Sequence, residues 1–277
     1  MSSSPGPSRP AADTKPPPPG TPRRPIQRGI YRSNLLGTAA FCGSRLADPF
    51  LQYQILQHGW GSALVERLGG STLAKGPPVV THTLLDRVVG LSQYRSILLG
   101  MSALAALKQT LHHALVQREE MPPGFSLGIG AANAALNSAN DVLFIAAQTS
   151  ASVNGDFPQT PLVLGASLFG VGLAVEAVSE VQRHVFKRDP ANRGKLYDRG
   201  LFALSRHVNY FGYMLWRTGY AMAGGGFVWA AATAGMLAYA FVKNSIPELQ
   251  DYLQEKYGSQ FDQYKAKVPY AFIPYLY

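Results

Sequence analysis

The residues best suited to chemistry lie in the last third of the chain, on either side of a strongly basic segment. Arg183 and Lys187 are four residues apart, so they share one face of a helix. If the chain is helical again after the basic segment, Asn209, Tyr213 and Trp216 also share a face. Cations bind phosphate and aromatic rings stack on bases, so such a cluster could hold a phosphorylated cofactor. The same residue types also anchor membrane helices at the cytosolic interface, and composition alone favours this second interpretation.

Several common catalytic signatures are missing from the sequence, which contains no Walker A motif, no GxGxxG, no HExxH and no CxxC. The single cysteine, Cys42, can form neither an internal disulfide nor a cysteine metal site, and we expect a small buried apolar residue there. His112 and His113 are adjacent, so they point to different faces of a helix, which is poor geometry for a shared metal. We therefore predict no metal site.

The elements that must position these residues are hydrophobic. The strongest apolar stretch covers residues 219–242, which carry no charge and are flanked by Arg217 and Lys243. Its triple glycine, Gly224–Gly226, indicates either a close helix–helix contact or a turn between two helices. The flanking sequence favours the turn, with the first helix starting near Asn209.

Four further stretches are largely apolar, at 35–80, 96–116, 121–151 and 157–175. They are rich in Gly, Ala, Ser and Asn, which is typical of close packing between membrane helices, and they lack the charged face of a soluble bundle. We predict an all-α, polytopic integral membrane protein with about five to seven transmembrane helices. The irregular pattern before residue 90 does not fix how many helices lie there.

The first 28 residues are rich in proline and nearly free of large apolar side chains, so we predict a disordered cytosolic tail at 1–28. N-terminal transmembrane helices follow at 29–160, and a C-terminal membrane domain at 161–277. The formal net charge of +9 is attributed to loops at an anionic membrane surface. The expected partner is therefore the lipid bilayer and not nucleic acid.

The basic segment at residues 182–200 contains six Lys or Arg against two Asp, which places it in the cytosol. The chain end is expected on the same side, as an amphipathic segment. Ser245 and Glu248 there match a capping box that would start a new helix, and Gly258 would end it.

Two motifs are recognisable as a pair. The run DPANRGKLYDRGLFALSRHVNYFGY resembles the signature DPANRG…GLWxxSRHPNYFGE of bacterial and fungal membrane proteins that belong with the steroid 5-alpha-reductase superfamily. The ending KYGSQFDQYKAKVPYAFIPYLY resembles that of the sterol C14- and C7-reductases. The resemblance covers about residues 160–277. It implies an enzyme of lipid metabolism in the endoplasmic reticulum membrane, an NADPH-dependent reductase of an activated carbon–carbon double bond in a sterol or other lipophilic substrate.

The resemblance also implies roles for individual residues. The cofactor phosphates would contact the two basic positions, Arg183 and Lys187, and Phe202 stands where sterol reductases have a Trp beside the nicotinamide end. The remaining implied cofactor contacts are the Arg–His of the motif, its Asn–Tyr pair and two tyrosines of the tail: Arg206, His207, Asn209, Tyr210, Tyr257 and Tyr264.

Reduction of an enone requires a proton donor near the carbonyl oxygen. In this sequence Tyr213, Leu249 and Gln250 stand where the family has acidic residues. A tyrosine is therefore the expected donor, with Tyr213 the first candidate and Tyr210 the second.

Two alternatives stay open. One is a membrane methyltransferase that uses S-adenosylmethionine, because isoprenylcysteine methyltransferases share the RHPxYxG part of the motif. Those enzymes usually carry a Glu–Glu pair where this chain has Leu249–Gln250. The other is a non-catalytic lipid-binding relative, which the replaced acidic positions favour.

Overall fold

The computed structural model describes residues 34–76, 90–116, 121–152 and 157–277. Within these ranges the chain is helical, without a strand beyond one isolated bridge between Thr72 and Ala146. The predicted all-α class is thereby confirmed for the described residues, whereas the predicted tail at 1–28 lies outside them. The helices are α1 (Leu35–His58), α2 (Ser62–Arg67), α3 (Gln93–Leu115), α4 (Pro123–Ile145), α5 (Thr160–Arg188), α6 (Val208–Ala240), α7 (Ile246–Tyr257) and α8 (Ser259–Lys267), with 3-10 turns at Pro190–Asn192 and Gly200–Ala203 and a π-helical turn at Phe241–Ser245.

Two packing units make up the core. Helix α1 packs against α3 and α4, and α5 packs along α6, while α4 joins the units by contacting α6. One hydrophobic cluster runs through both units, with Leu56, Leu98, Phe144, Phe169 and Trp216 buried in it. By length and apolar composition, two helical segments could cross a membrane, Thr160–Arg188 and Val208–Tyr257.

Glycines bring the backbones of α5 and α6 into direct contact. A Cβ atom on Gly165 would lie 2.6 Å from the Gly219 carbonyl oxygen, and one on Gly172 would lie 2.7 Å from that of Gly212. A Cβ on Gly212 would in turn lie 2.6 Å from the backbone nitrogen of Glu176. Residues larger than glycine would therefore force the two helices apart.

Helix α6 is a hairpin that reverses at Gly226. This glycine has φ 73° and ψ −167°, a conformation that favours glycine. The rings of Tyr210 and Phe241 stack with centroids 4.8 Å apart, although a straight helix would separate the two residues by roughly 46 Å. The two arms are residues 208–225 and 227–240. The predicted turn is confirmed, and the predicted close contact also occurs, because a Cβ on Gly224 would lie 2.6 Å from the Asn140 carbonyl oxygen of α4.

The capping box predicted at Ser245 is wrong. The backbone of Ser245 is helical, with φ −71° and ψ −38°, and its side chain makes no capping hydrogen bond. The second arm of α6 instead continues through the π-helical turn into α7, so the amide groups of the first turn already have backbone partners. The predicted stop is confirmed, since α7 ends at Tyr257 and Gly258 is its C-terminal cap.

A buried polar network links four helices. Arg45 and Asp48 of α1 are fully buried and paired, with Nη1 2.9 Å from Oδ2. Asn137 of α4 donates to the same Asp48 oxygen at 2.6 Å and accepts from Arg217 Nη1 of α6 at 2.7 Å. Gln109 of α3 accepts from Arg45 Nε at 2.6 Å. These contacts fix α1, α3, α4 and α6 relative to one another.

The α5–α6 contact predicts opposite effects for two neighbouring glycines. Gly172→Ala should lower the free energy of unfolding by about 1–3 kcal/mol, because its Cβ has no space against α6. Gly170→Ala is the matched control: nothing lies within 4 Å of its Cβ position, so the higher helix propensity of alanine should stabilise by up to about 1 kcal/mol. Thermal unfolding of the purified proteins measures both, and equal effects would contradict the packing.

The polar network predicts non-additive losses. Asp48→Leu leaves Arg45 buried without its carboxylate and should destabilise by about 3–5 kcal/mol. The double variant Arg45→Met with Asp48→Leu removes both charges and should recover part of that loss. A double variant less stable than Asp48→Leu would show that the pair is not the main contact of either residue.

Candidate functional site

The predicted site residues lie where α5 ends, α6 begins and the chain end folds back over both. The Arg206 N–H donates to the Tyr270 carbonyl oxygen at 3.0 Å, and the His207 N–H donates to that of Ala271 at the same distance. Arg206 Nη1 also donates to the Val268 carbonyl oxygen at 2.6 Å. Burial lowers the pKa of Arg206. Arg206 therefore holds the chain end in place.

Two ammonium groups flank the ring of Tyr257. Lys187 Nζ lies 4.8 Å from the ring centroid and donates to the Tyr257 hydroxyl at 2.9 Å. Lys256 Nζ lies 5.7 Å from the same centroid. Lys187 also donates to the Lys195 carbonyl oxygen. Neither ammonium group forms an ion pair with a carboxylate in the part of the chain that the structure describes.

Arg183 has a different environment from Lys187. It forms an ion pair with Glu180 of the preceding turn, and its guanidinium carbon lies 5.3 Å from the ring centroid of Phe202. Phe202 is buried, and its carbonyl oxygen accepts a hydrogen bond from the Tyr264 hydroxyl at 2.7 Å. Burial raises the pKa of Tyr264. Tyr264 thus fixes the backbone of Phe202, and Phe202 supports Arg183.

Asn209 presents an unused acceptor. The side chain is only 7% exposed, and its Nδ2 donates to Glu180 Oε1 at 2.7 Å. Its Oδ1 is buried and has no hydrogen-bond partner among the described residues. Leaving such an atom unpaired costs free energy, so a ligand donor at this position would be favoured. Glu180 contacts both Asn209 and Arg183. The sequence alone had indicated no role for it.

The two candidate catalytic tyrosines occupy different environments. The ring of Tyr210 is stacked between His207, at 5.6 Å, and Phe241, at 4.8 Å. The Tyr213 hydroxyl accepts from Arg217 Nε at 3.1 Å, so it points toward the buried network of α1 and α4. Tyr213 and Asn209 share a helix face as predicted, but Asn209 bonds to α5. The structure therefore does not bring the two polar groups to one point.

A second ion pair, missed by sequence reasoning, lies deeper between α3, α5 and α6. Lys108 pairs with Glu176 Oε1, and Trp216 Nε1 donates to Glu176 Oε2 at 2.7 Å. In the sequence, both residues are isolated charges within apolar stretches. That isolation is the feature of the sequence that could have pointed to them. Their partners come from other helices, which no local pattern reveals.

Two open cavities adjoin the region. One of about 710 Å³ lies on the outer face of α5, beside Phe186, Tyr197 and Arg199. The other, of about 460 Å³, lies between α7 and the chain end and is bordered by Arg206 and Gln250. These two residues stand before and after the α6 hairpin, so the second cavity opens between the segments that bracket it. Its volume is within the range of small-molecule sites.

The chain resembles two kinds of known sequence. Residues 142–268 match the family model "Protein of unknown function (DUF1295)", which is a steroid 5-alpha-reductase-like family. A protein of Ustilaginoidea virens described as "Probable O-methyltransferase ustE" is 36% identical over 235 residues, which cover 83% of each chain. The matched segment contains α5, the α6 hairpin and α7, the elements that carry the predicted site. The chain belongs to the same protein family as the Ustilaginoidea virens relative, and its residues 142–268 carry the DUF1295 match.

Proposed function

We propose that the chain is a multi-pass membrane enzyme of the endoplasmic reticulum that uses NADPH to reduce an activated carbon–carbon double bond in a lipophilic substrate. The proposed spans are α1, α3, α4, α5 and the two arms of α6, which fits the expected five to seven. α1, α3 and α4 have 23 or 24 residues each, about 35 Å of helix. Exposed leucines and valines such as Val163, Leu164 and Val171 on α5 would face lipid.

The observation that carries the proposal is the arrangement of cations around Tyr257. Lys187 and Lys256 both lie against this ring, and their contacts among the described residues are neutral oxygen atoms and aromatic rings. Two adjacent ammonium groups without a carboxylate repel each other, and a phosphate group would relieve that repulsion. Arg183 stands one turn away on α5. The phosphates of NADPH suit this arrangement.

The buried Asn209 also suits the cofactor. Its unpaired Oδ1 can accept a hydrogen bond from the carboxamide N–H of a nicotinamide. In this proposal Arg183 and Lys187 hold phosphate, Tyr257 contacts the cofactor beside them, and Asn209 contacts the nicotinamide end. NADPH would supply a hydride when bound, and the protein would supply orientation and a proton.

A methyltransferase is the second candidate, because the relative from Ustilaginoidea virens is described as a probable O-methyltransferase. S-adenosylmethionine carries a cationic sulfonium, an ammonium group and one carboxylate, so its net charge is positive and an anionic site suits it best. Glu176 and Glu180 could provide such a site, whereas Lys187 and Lys256 would oppose it. Leu249 and Gln250 also stand where the isoprenylcysteine methyltransferases have acids.

Removing the two cations tests the assignment. The double variant Lys187→Ala with Lys256→Ala should weaken NADPH binding at least tenfold, since each charge-assisted hydrogen bond contributes about 1.5–3 kcal/mol. The double variant Lys265→Ala with Lys267→Ala is the control, because it also removes two positive charges, but from lysines that are paired with Asp262 and Asp198. Titration of NADPH fluorescence against detergent-solubilised protein measures the affinities.

Two further outcomes of that titration test the proposal. If the site holds phosphate, rising salt should weaken NADPH binding in the wild type more than in the double variant. Equal NADPH affinity in wild type and double variant would remove the principal support for the reductase.

A further inference from the structure

Among the described residues, two ion pairs lie inside the helix bundle, and they differ in how completely they are enclosed. The side chains of Arg45 and Asp48 are 0% exposed, and Asp48 accepts hydrogen bonds from Arg45, Gln52 and Asn137. Lys108 and Glu176 keep 11% and 15% of their side-chain surface exposed. The first pair is a sealed structural contact, whereas part of the surface of the second is exposed.

Lys108 also retains hydrogen-bonding capacity. An ammonium group has three N–H donors, and in the described ranges Lys108 forms one polar contact, the ion pair with Glu176. Glu176 is held from the other side by Trp216 Nε1 at 2.7 Å. The carboxylate is therefore fixed by two partners, and the ammonium group has donors left for a third molecule.

The position of this pair relates it to the proposed cofactor site. Glu176 lies one helical turn before Glu180, the residue that bonds to Asn209 Nδ2. Trp216 lies two turns beyond Asn209 on the first arm of α6. The pair thus borders the same α5–α6 seam, roughly 5–10 Å deeper than the proposed nicotinamide contact. A lipophilic substrate that meets the cofactor at Asn209 would extend along the outer edge of this seam, beside α3, toward Lys108.

We propose that Lys108, paired with Glu176, binds the carbonyl oxygen of the substrate and donates the proton that the replaced acidic positions cannot supply. The inference rests on the proposed reductase function. Charged groups inside an apolar helix bundle are costly and mark functional sites by default. The group that binds at this site is a carbonyl oxygen conjugated with a carbon–carbon double bond.

The proton balance of the step is simple. As a hydride adds to the β-carbon, the electron pair of the double bond shifts and negative charge develops on the carbonyl oxygen. A Lys108 N–H bond breaks and an O–H bond forms, which gives an enol and a neutral amine. The amine regains a proton from water, and the enol converts to the saturated ketone by gaining a proton at the α-carbon and losing the one on oxygen. The substrate gains one hydride and one proton in total.

A phenol probe tests the proposal without cofactor or turnover. The 4-nitrophenolate ion resembles an enolate, because its charged oxygen is attached to a conjugated planar system, and its visible absorbance distinguishes it from the neutral phenol. Wild-type protein should bind the phenolate roughly tenfold more tightly than Lys108→Met, which lacks the charge-assisted hydrogen bond. Glu176→Gln should bind it as tightly or more tightly, since the competing carboxylate is gone.

The opposite behaviour of the two variants separates a site from a structural contact. If the pair only stabilises the fold, both substitutions should weaken phenolate binding by the same factor, and this result would overturn the proposal. Full phenolate binding by Lys108→Met would also overturn it. The double variant Lys108→Met with Glu176→Gln leaves no unpaired charge, so it should fold but bind no phenolate.

NADPH titration of the same samples distinguishes this proposal from the function on which it rests. NADPH binding without a Lys108-dependent phenolate effect would contradict the oxygen site and leave the cofactor site standing. A Lys108-dependent phenolate effect without NADPH binding would support the oxygen site and contradict the reductase.

Discussion

The architecture depends on the backbone contact between α5 and the first arm of α6. Gly165 and Gly172 on one helix face Gly212 and Gly219 on the other, with no room for a Cβ atom at any of the four positions. When two helices lie this close, long side chains beside the contact cannot point into it and must point to one side. Glu176 and Trp216 do so and meet at the edge of the seam. The same close approach lets Asn209 reach Glu180 across the helix pair.

The reversal at Gly226 completes the arrangement. It returns the chain to the end of the bundle from which α6 started, so that Phe241 stacks on Tyr210. Helices α7 and α8 and the chain end then fold over the residues before α6, and Arg206 fastens them. Lys256 and Tyr257 reach Lys187 only because of this return. A cluster drawn from residues seventy positions apart is the result of one glycine turn.

The sequence predicted the elements better than the side-chain partners. The hairpin was expected because three glycines interrupt an apolar stretch, and Gly226 has the backbone conformation that this requires. The capping box failed because Ser245 matches a motif for helix starts at a point where the helix continues. Glu176, Glu180 and Lys108 were not recognised because pattern reasoning treats a charge in an apolar stretch as an interruption. Whether such a charge is paired depends on neighbouring helices, and only the tertiary structure gives that information.

The expected role of Tyr213 shows the same difficulty. Helical spacing correctly put Tyr213 on the face of Asn209, yet the tyrosine hydroxyl bonds to Arg217 and the asparagine bonds to α5. Periodicity gives the face of a helix but not the direction of a long side chain within it. This is why the proposed proton donor is Lys108, on a different helix, and not the tyrosine that the motif suggested.

In the proposed function, the α5–α6 end holds a dinucleotide through Asn209 and the neighbouring cations. The most direct measurement is a calorimetric titration of wild type and Asn209→Ala with NADPH and, separately, with S-adenosylmethionine. The account predicts NADPH binding in the micromolar range, about tenfold or more weaker in Asn209→Ala because the carboxamide acceptor is lost. Binding of S-adenosylmethionine together with no detectable NADPH binding would contradict it and favour the methyltransferase.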